Sequence, residues 1–108
     1  MLAEDDVLIA THLRAVMEAQ GATVQLVSSV VELSTVPPQT IDVAVLDNTL
    51  ADGEIGSQAD RLRDAGVPLI HQSGDVASVA DTAGKFIAIL GKPINEDELI
   101  AAIARRET

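Results

Sequence analysis

Four places in the sequence run a short apolar segment into a group capable of polar chemistry. "MLA" meets Glu4, Asp5 and Asp6; "IDVAVL", Ile41 to Leu46, meets Asp47; "VPLIHQ" meets Ser73; and "KFIAIL" meets Gly91 and Lys92. A buried strand gains nothing structurally by ending on a charge, so these carboxylates need another reason. Several carboxylates brought within a few ångströms repel one another, and a hard divalent cation with oxygen ligands, most naturally Mg²⁺, resolves that repulsion. Mg²⁺ prefers one or two carboxylates together with phosphate oxygens and water. Lys92 would add a second positive charge and Ser73 a hydrogen-bond donor for another phosphate oxygen. One carboxylate is then free to act as nucleophile. Aspartyl phosphate is an established covalent intermediate, and phosphoryl transfer asks mainly for in-line positioning and charge neutralisation. Asp47, which ends the run Ile41 to Leu46, is the candidate, because a nucleophile must be held still.

The elements that would position these groups alternate along the chain. After the first short strand, "VLIATHLRAVMEAQ" places Ile9, Leu13, Val16, Met17 and Gln20 at helical spacing and stops at Gly21. The apolar "TVQLV" follows as a second strand. Ser29 and Glu32 fit a capping box for a short helix that Pro37 and Pro38 terminate. "IDVAVL" is the third strand and "ADG" a turn. Ile55 to Ala65 puts Ile55, Ala59 and Leu62 on one helical face before Gly66. "VPLIHQS" is the fourth strand, "VASVADTA" a weakly patterned helix and "KFIAIL" the fifth strand. A last helix is well specified: Asn95 is its expected N-cap with Glu98 three residues on, Ile94 and Leu99 form a hydrophobic staple, and acidic residues 96 to 98 precede Arg105 and Arg106. Five mostly continuous apolar strands alternating with helices predict an α/β sandwich, a parallel sheet covered on both faces. Ligands bind such sheets outside the carboxyl ends of the strands, which is where all four polar endings fall.

Composition narrows the function classes. A chain of 108 residues has room for one domain, able to bury roughly 65% of its unfolded surface. It lacks cysteine, so neither a disulfide framework nor a thiolate metal site is available. No apolar run approaches the roughly 20 residues of a membrane span, and "MLAEDD" is unlike a signal peptide, so a cytoplasmic location and no membrane insertion are expected. Seven Lys and Arg against seventeen Asp and Glu give a net charge of −10, which repels a polyanion. With Phe86 the one aromatic residue, no stacking platform for bases exists, and direct nucleic-acid binding is disfavoured.

Taken together, "AEDD", "VAVLDNTLADGE", "VPLIHQSGD" and "ILGKPINEDEL" resemble the response-regulator receiver domains of two-component signalling, over nearly the whole length. The resemblance implies a flavodoxin-like, three-layer sandwich with strand order 2-1-3-4-5. It implies that Asp47 is the phospho-acceptor, that Asp5 binds Mg²⁺ directly and Glu4 indirectly, and that the backbone carbonyl of Thr49 completes the protein's share of the coordination. Ser73 matches the switch hydroxyl, and Lys92 the lysine that contacts the phosphoryl group, followed by a Pro93 whose preceding bond is usually cis. The implied donor is a phosphohistidine on a sensor histidine kinase or a histidine phosphotransfer protein, and the implied output a conformational shift read by a protein partner. The chain departs from the family pattern in three ways: Ile89 occupies the usual aromatic switch position, Ala51 replaces a common proline, and the first strand is short. Two positions after the acceptor, Thr49 offers neither carboxylate nor amide to orient water, which predicts slow self-dephosphorylation.

Blander roles are expected for other polar residues. Asp6 caps the first helix, His12 and His71 are structural, Asp52 with Gly53 makes a turn, and the acidic run 96 to 98 opens a helix. Two rival functions remain. A haloacid-dehalogenase-type phosphatase also uses a strand-end aspartate, but its second carboxylate would fall on Thr49. A degenerate receiver would bind a partner without phosphorylation. The expected organisation is a single receiver domain over 1-108 with no output domain, standing alone or as a module of a larger protein.

Overall fold

Alternate residues of a strand face opposite sides of its sheet, and in this chain both sides are apolar, which requires cover on both. The computed structural model, which describes residues 1–74 and 84–105, shows that cover. Its main sheet contains β1 (Leu2–Ala3), β2 (Leu26–Val27), β3 (Ala44–Asp47), β6 (Leu69–Ser73) and β7 (Ala88–Gly91). The order is β2-β1-β3-β6-β7, with every pairing parallel. Between β3 and the next sheet strand lies a small antiparallel hairpin, β4 (Thr49–Leu50) and β5 (Gly53–Glu54). Counting the main-sheet strands alone, the order is the expected 2-1-3-4-5.

Ala3, Ala44, Leu46 and Leu69 face one side, packed with Leu33 of α2 (Val30–Ser34) and Ala59 and Leu62 of α3 (Gly56–Asp64). Leu2, Val45, Ile70 and Leu90 face the other, with Leu13 and Met17 of α1 (Val7–Ala19) and Leu99 and Ala102 of α4 (Glu96–Ala104). Leu46, Ile70 and Leu99 are fully buried, and each such side chain contributes about 2 kcal/mol relative to exposure. These two layers explain why the strands read as continuous apolar runs instead of alternating ones. Among the described residues no helix is long and apolar enough to cross a membrane.

The caps follow local chemistry. Asp6 accepts the N–H groups of Leu8 and Ile9 at 3.0 and 3.2 Å, Ser29 accepts that of Glu32 at 3.0 Å, and Asn95 accepts that of Glu98 at 3.0 Å. Ile94 and Leu99 pack in the same cluster, as the staple requires. Gly21 and Gly66 end α1 and α3 at φ of 91° and 89°, a region that residues with a Cβ avoid.

Several boundaries differ from the sequence reading. Gln20 is exposed and caps α1 instead of joining its buried face. Glu32 completes only half a capping box, because its carboxylate accepts from the hydroxyl of Ser28 at 2.8 Å. The third strand enters the ladder at Ala44, after a 3₁₀ turn over Pro38–Thr40, and the fifth at Ala88, three residues after Lys85. The expected "ADG" turn is the tip of the β4–β5 hairpin, with Gly53 at φ 143°. The helix expected in "VASVADTA" and the charge of Arg106 lie outside the described residues.

Candidate functional site

Sheet order reverses at β1, from which the chain crosses to β2 on one side before returning to β3 on the other. The carboxyl ends of β1 and β3 therefore border the crevice where doubly wound sheets bind ligands. Glu4 and Asp5 leave β1 there and Asp47 ends β3. Their carboxylates supply ligand oxygens that all lie within 4.8 Å of one another. Glu4 and Asp47 are buried and Asp5 is exposed, so the cluster opens to solvent on the Asp5 side.

Lys92 reaches this cluster from the end of β7. Its Nζ lies 2.9 Å from Asp47 Oδ2 and 3.7 Å from Glu4 Oε2. Burial alone lowers the lysine pKa, but the hydrogen bond to Asp47 and the charges of Asp47, Glu4 and Asp5 outweigh it, and the net direction is upward. The ammonium is thereby held in its charged form. For Glu4, desolvation is the largest effect and raises its pKa; the Asp6 N–H at 3.0 Å and Lys92 oppose this, while nearby Asp47 adds to it. Asp47 Oδ1 also accepts the N–H of Asn48 at 2.8 Å. Three carboxyl groups face one ammonium in this cluster, so its acidic groups outnumber its basic one. Oxygen ligands, close convergence and an excess of acidic groups together fit a hard divalent cation.

Ser73 ends β6 and is buried; it stands one residue past Gln72, the register partner of Asp47, and its carbonyl accepts the Lys92 N–H at 2.8 Å. Thr49 opens β4 on the same edge and is exposed. The Lys92–Pro93 peptide is cis, as the resemblance implied. Ile89 is half-buried in β7, beside His71 in register. A cavity of about 670 Å³ lies at the opposite, amino-terminal edge, lined by Met1, Val24, Ile41, Asp42 and others, and holds none of the acidic cluster.

Other polar residues take roles the sequence reading had only partly anticipated. Asp6 caps α1 as expected. Asp52 does more than turn chemistry: its carboxylate accepts the N–H groups of Val30 and Val31 at 2.7 and 3.1 Å, and the first of these bonds is the main cause of its lowered pKa. His12 pairs with Glu96 at 3.1 Å on the surface. His71 is buried and stacked on Phe86, ring centroids 4.8 Å apart, with neither ring nitrogen hydrogen-bonded. Gln72 was missed altogether: fully buried, it donates from Nε2 to Glu4 Oε2 at 2.8 Å. The available signal was a lone amide between His71 and Ser73 in a strand that is buried throughout.

The doubly wound parallel sheet with this strand order is the fold of solved response-regulator receiver domains. Solved structures of that class superpose over almost the entire chain. The receiver domain of HemR from Leptospira biflexa matches with a TM-score of 0.84 at 20% identity, over 97% of this chain and 90% of that one. A response regulator receiver protein from Sinorhizobium medicae matches at 0.82 and 24%, over 97% and 90%. The signal receiver domain of a modulated diguanylate cyclase from Desulfovibrio desulfuricans matches at 0.77 and 26%, over 98% and 93%. No protein-family model and no curated protein sequence matches the chain.

Proposed function

We propose that the chain is a phospho-accepting receiver domain of a two-component or phosphorelay system. The observation that carries this reading is the Asp47–Lys92 pair at 2.9 Å inside a cluster whose carboxylate oxygens lie within 4.8 Å. An Asp47 oxygen would attack the phosphorus of a phosphohistidine on a sensor histidine kinase or histidine phosphotransfer protein. The O–P bond forms as the P–N bond breaks, and the imidazole leaves. Asp5, Asp47 and the carbonyl of Thr49 would hold Mg²⁺, with Glu4 acting indirectly; when bound, the ion supplies charge neutralisation at the phosphoryl oxygens. Lys92, which balances Asp47 before transfer, would then pair with a phosphoryl oxygen, and the Ser73 hydroxyl would donate to another. The negative charge added at Asp47 biases the loops around β6 and β7, and a protein partner reads the shifted population. The chain is thus a cytoplasmic signalling domain that promotes its own phosphorylation and slow dephosphorylation, not an enzyme acting on a separate metabolite.

The test is intact mass after incubation with acetyl phosphate, with and without Mg²⁺, on the wild type and Asp47→Asn. A Mg²⁺-dependent gain of one phosphoryl group, labile to base and absent in the variant, is expected. A folded protein that takes up no phosphoryl group would instead favour a receiver that binds its partner without phosphorylation.

A further inference from the structure

Gln72 sits where an apolar residue would pack. It lies on β6 between His71 and Ser73, with no solvent exposure, and its register neighbours are Asp47 on β3 and Leu90 on β7. By alternation it faces the same side of the sheet as Ile70, the α1 and α4 side, where Val45, Ile70 and Leu90 form an apolar cluster. A buried amide in that company needs a partner to offset its desolvation. The partner is Glu4: Gln72 Nε2 donates to Glu4 Oε2 at 2.8 Å, whereas Gln72 Oε1 makes no hydrogen bond. The orphaned oxygen shows that the amide is oriented for Glu4. Turned the other way, its oxygen would face a carboxylate oxygen.

The bond also spans the site. Glu4 follows β1, Gln72 lies on β6, and β3 runs between them, so the contact crosses the sheet at the level of Asp47, 68 residues apart in sequence. Glu4 is held by the Asp6 N–H on Oε1 and by Gln72 and Lys92 on Oε2. Two of these three are cations or fixed backbone. A neutral side-chain donor orients the carboxylate without cancelling the negative charge that attracts a cation, which a lysine or arginine at position 72 would do.

We infer that Gln72 is a positioning residue for the acidic site, holding Glu4 from across β3 and so setting the affinity of the site for a divalent cation. The inference rests on the metal site of the proposed function. The experiment is calorimetric titration of Mg²⁺ alone into the full chain, as wild type, Gln72→Leu, Glu4→Gln and the double variant, with folding followed by circular dichroism. Gln72→Leu is expected to weaken Mg²⁺ binding about 10-fold, the usual cost of losing a partner that orients a metal ligand. In the Glu4→Gln background the same substitution should cost nothing further, because Gln72 acts through Glu4. A merely structural role would lower affinity equally in both backgrounds, and that result, or a Gln72→Leu affinity within twofold of wild type, overturns the inference. Should the leucine variant unfold, Gln72→Met, unbranched and of similar length, replaces it in the same cycle. A wild type that binds no Mg²⁺ would sink the metal site itself, an outcome separate from the failure of Gln72 alone.

Discussion

At the scale of single residues, His71 and Thr49 have the clearest consequences. His71 is buried against Phe86 with both ring nitrogens unpaired, and burial, the largest cause, pushes its pKa below the ordinary 6.5; Lys92 adds to this and Asp47 opposes it. The unfolded chain therefore binds a proton near pH 6.5 that the folded protein refuses, so stability falls as pH drops below 6.5. His71→Leu removes two unsatisfied buried groups. It should stabilise the protein by about 1 kcal/mol in urea denaturation at neutral pH and flatten the loss of stability on the acid side. Unchanged stability and an unchanged slope would mean that the imidazole finds partners in solution. On the proposed function, Thr49 bears on the lifetime of the phosphorylated state. It stands exposed two residues beyond Asp47 and offers neither carboxylate nor amide to orient attacking water, so Thr49→Asn should speed loss of the phosphoryl group several-fold, measured as decay of the phosphorylated mass after the donor is removed. An equal or slower decay would count against that role.

At the scale of elements, α2 is the shortest α-helix among the described residues and the most informative. Five residues are far too few for an isolated helix, so its termini and packing must hold it. Ser29 caps it from within, as its local sequence foretold. The Asp52 carboxylate caps it from the tip of the β4–β5 hairpin, and this was not legible, because "ADG" looks identical whether or not a helix start lies within reach. The contact ties the loop that follows Asp47 to α2. Asp52→Ala should leave the hairpin in place, lower the melting temperature by a few degrees and raise hydrogen exchange at the amides of Val30 and Val31. Exchange unchanged at those two amides would show that Ser29 alone suffices. The late entry of Ala88 into the last strand was hidden for a related reason: "FI" is as apolar as "AIL", and only pairing with Ile70 through Ser73 shows where the ladder begins.

At the scale of the whole molecule, the net charge is −10, and Glu4, Asp5 and Asp47 gather three of the seventeen acidic groups at one edge. Such a molecule is relieved by a bound cation, and a ligand that binds only the folded state stabilises it by mass action. Mg²⁺ at about 100 times its dissociation constant should add about 2.7 kcal/mol and raise the melting temperature correspondingly. Asp5→Asn should lose most of that increment while retaining the metal-free stability, since Asp5 is exposed and outside both apolar clusters. A shift that survives in the variant would place the cation elsewhere.

The sequence by itself determined the alternation of strands and helices, the caps at Asp6, Ser29 and Asn95, and the delivery of Asp5, Asp47, Ser73 and Lys92 to one edge. These follow from hydrophobic period, short-range hydrogen bonding and the rule that parallel strands share a carboxyl end, all of which act within a few residues. Only the tertiary structure decided which groups meet: Lys92 with Asp47, Gln72 with Glu4, and Asp52 with the start of α2. Those contacts depend on the register between strands and loops 22 to 68 residues apart, and a one-residue slip would turn Asp47 and Gln72 to the opposite face of the sheet.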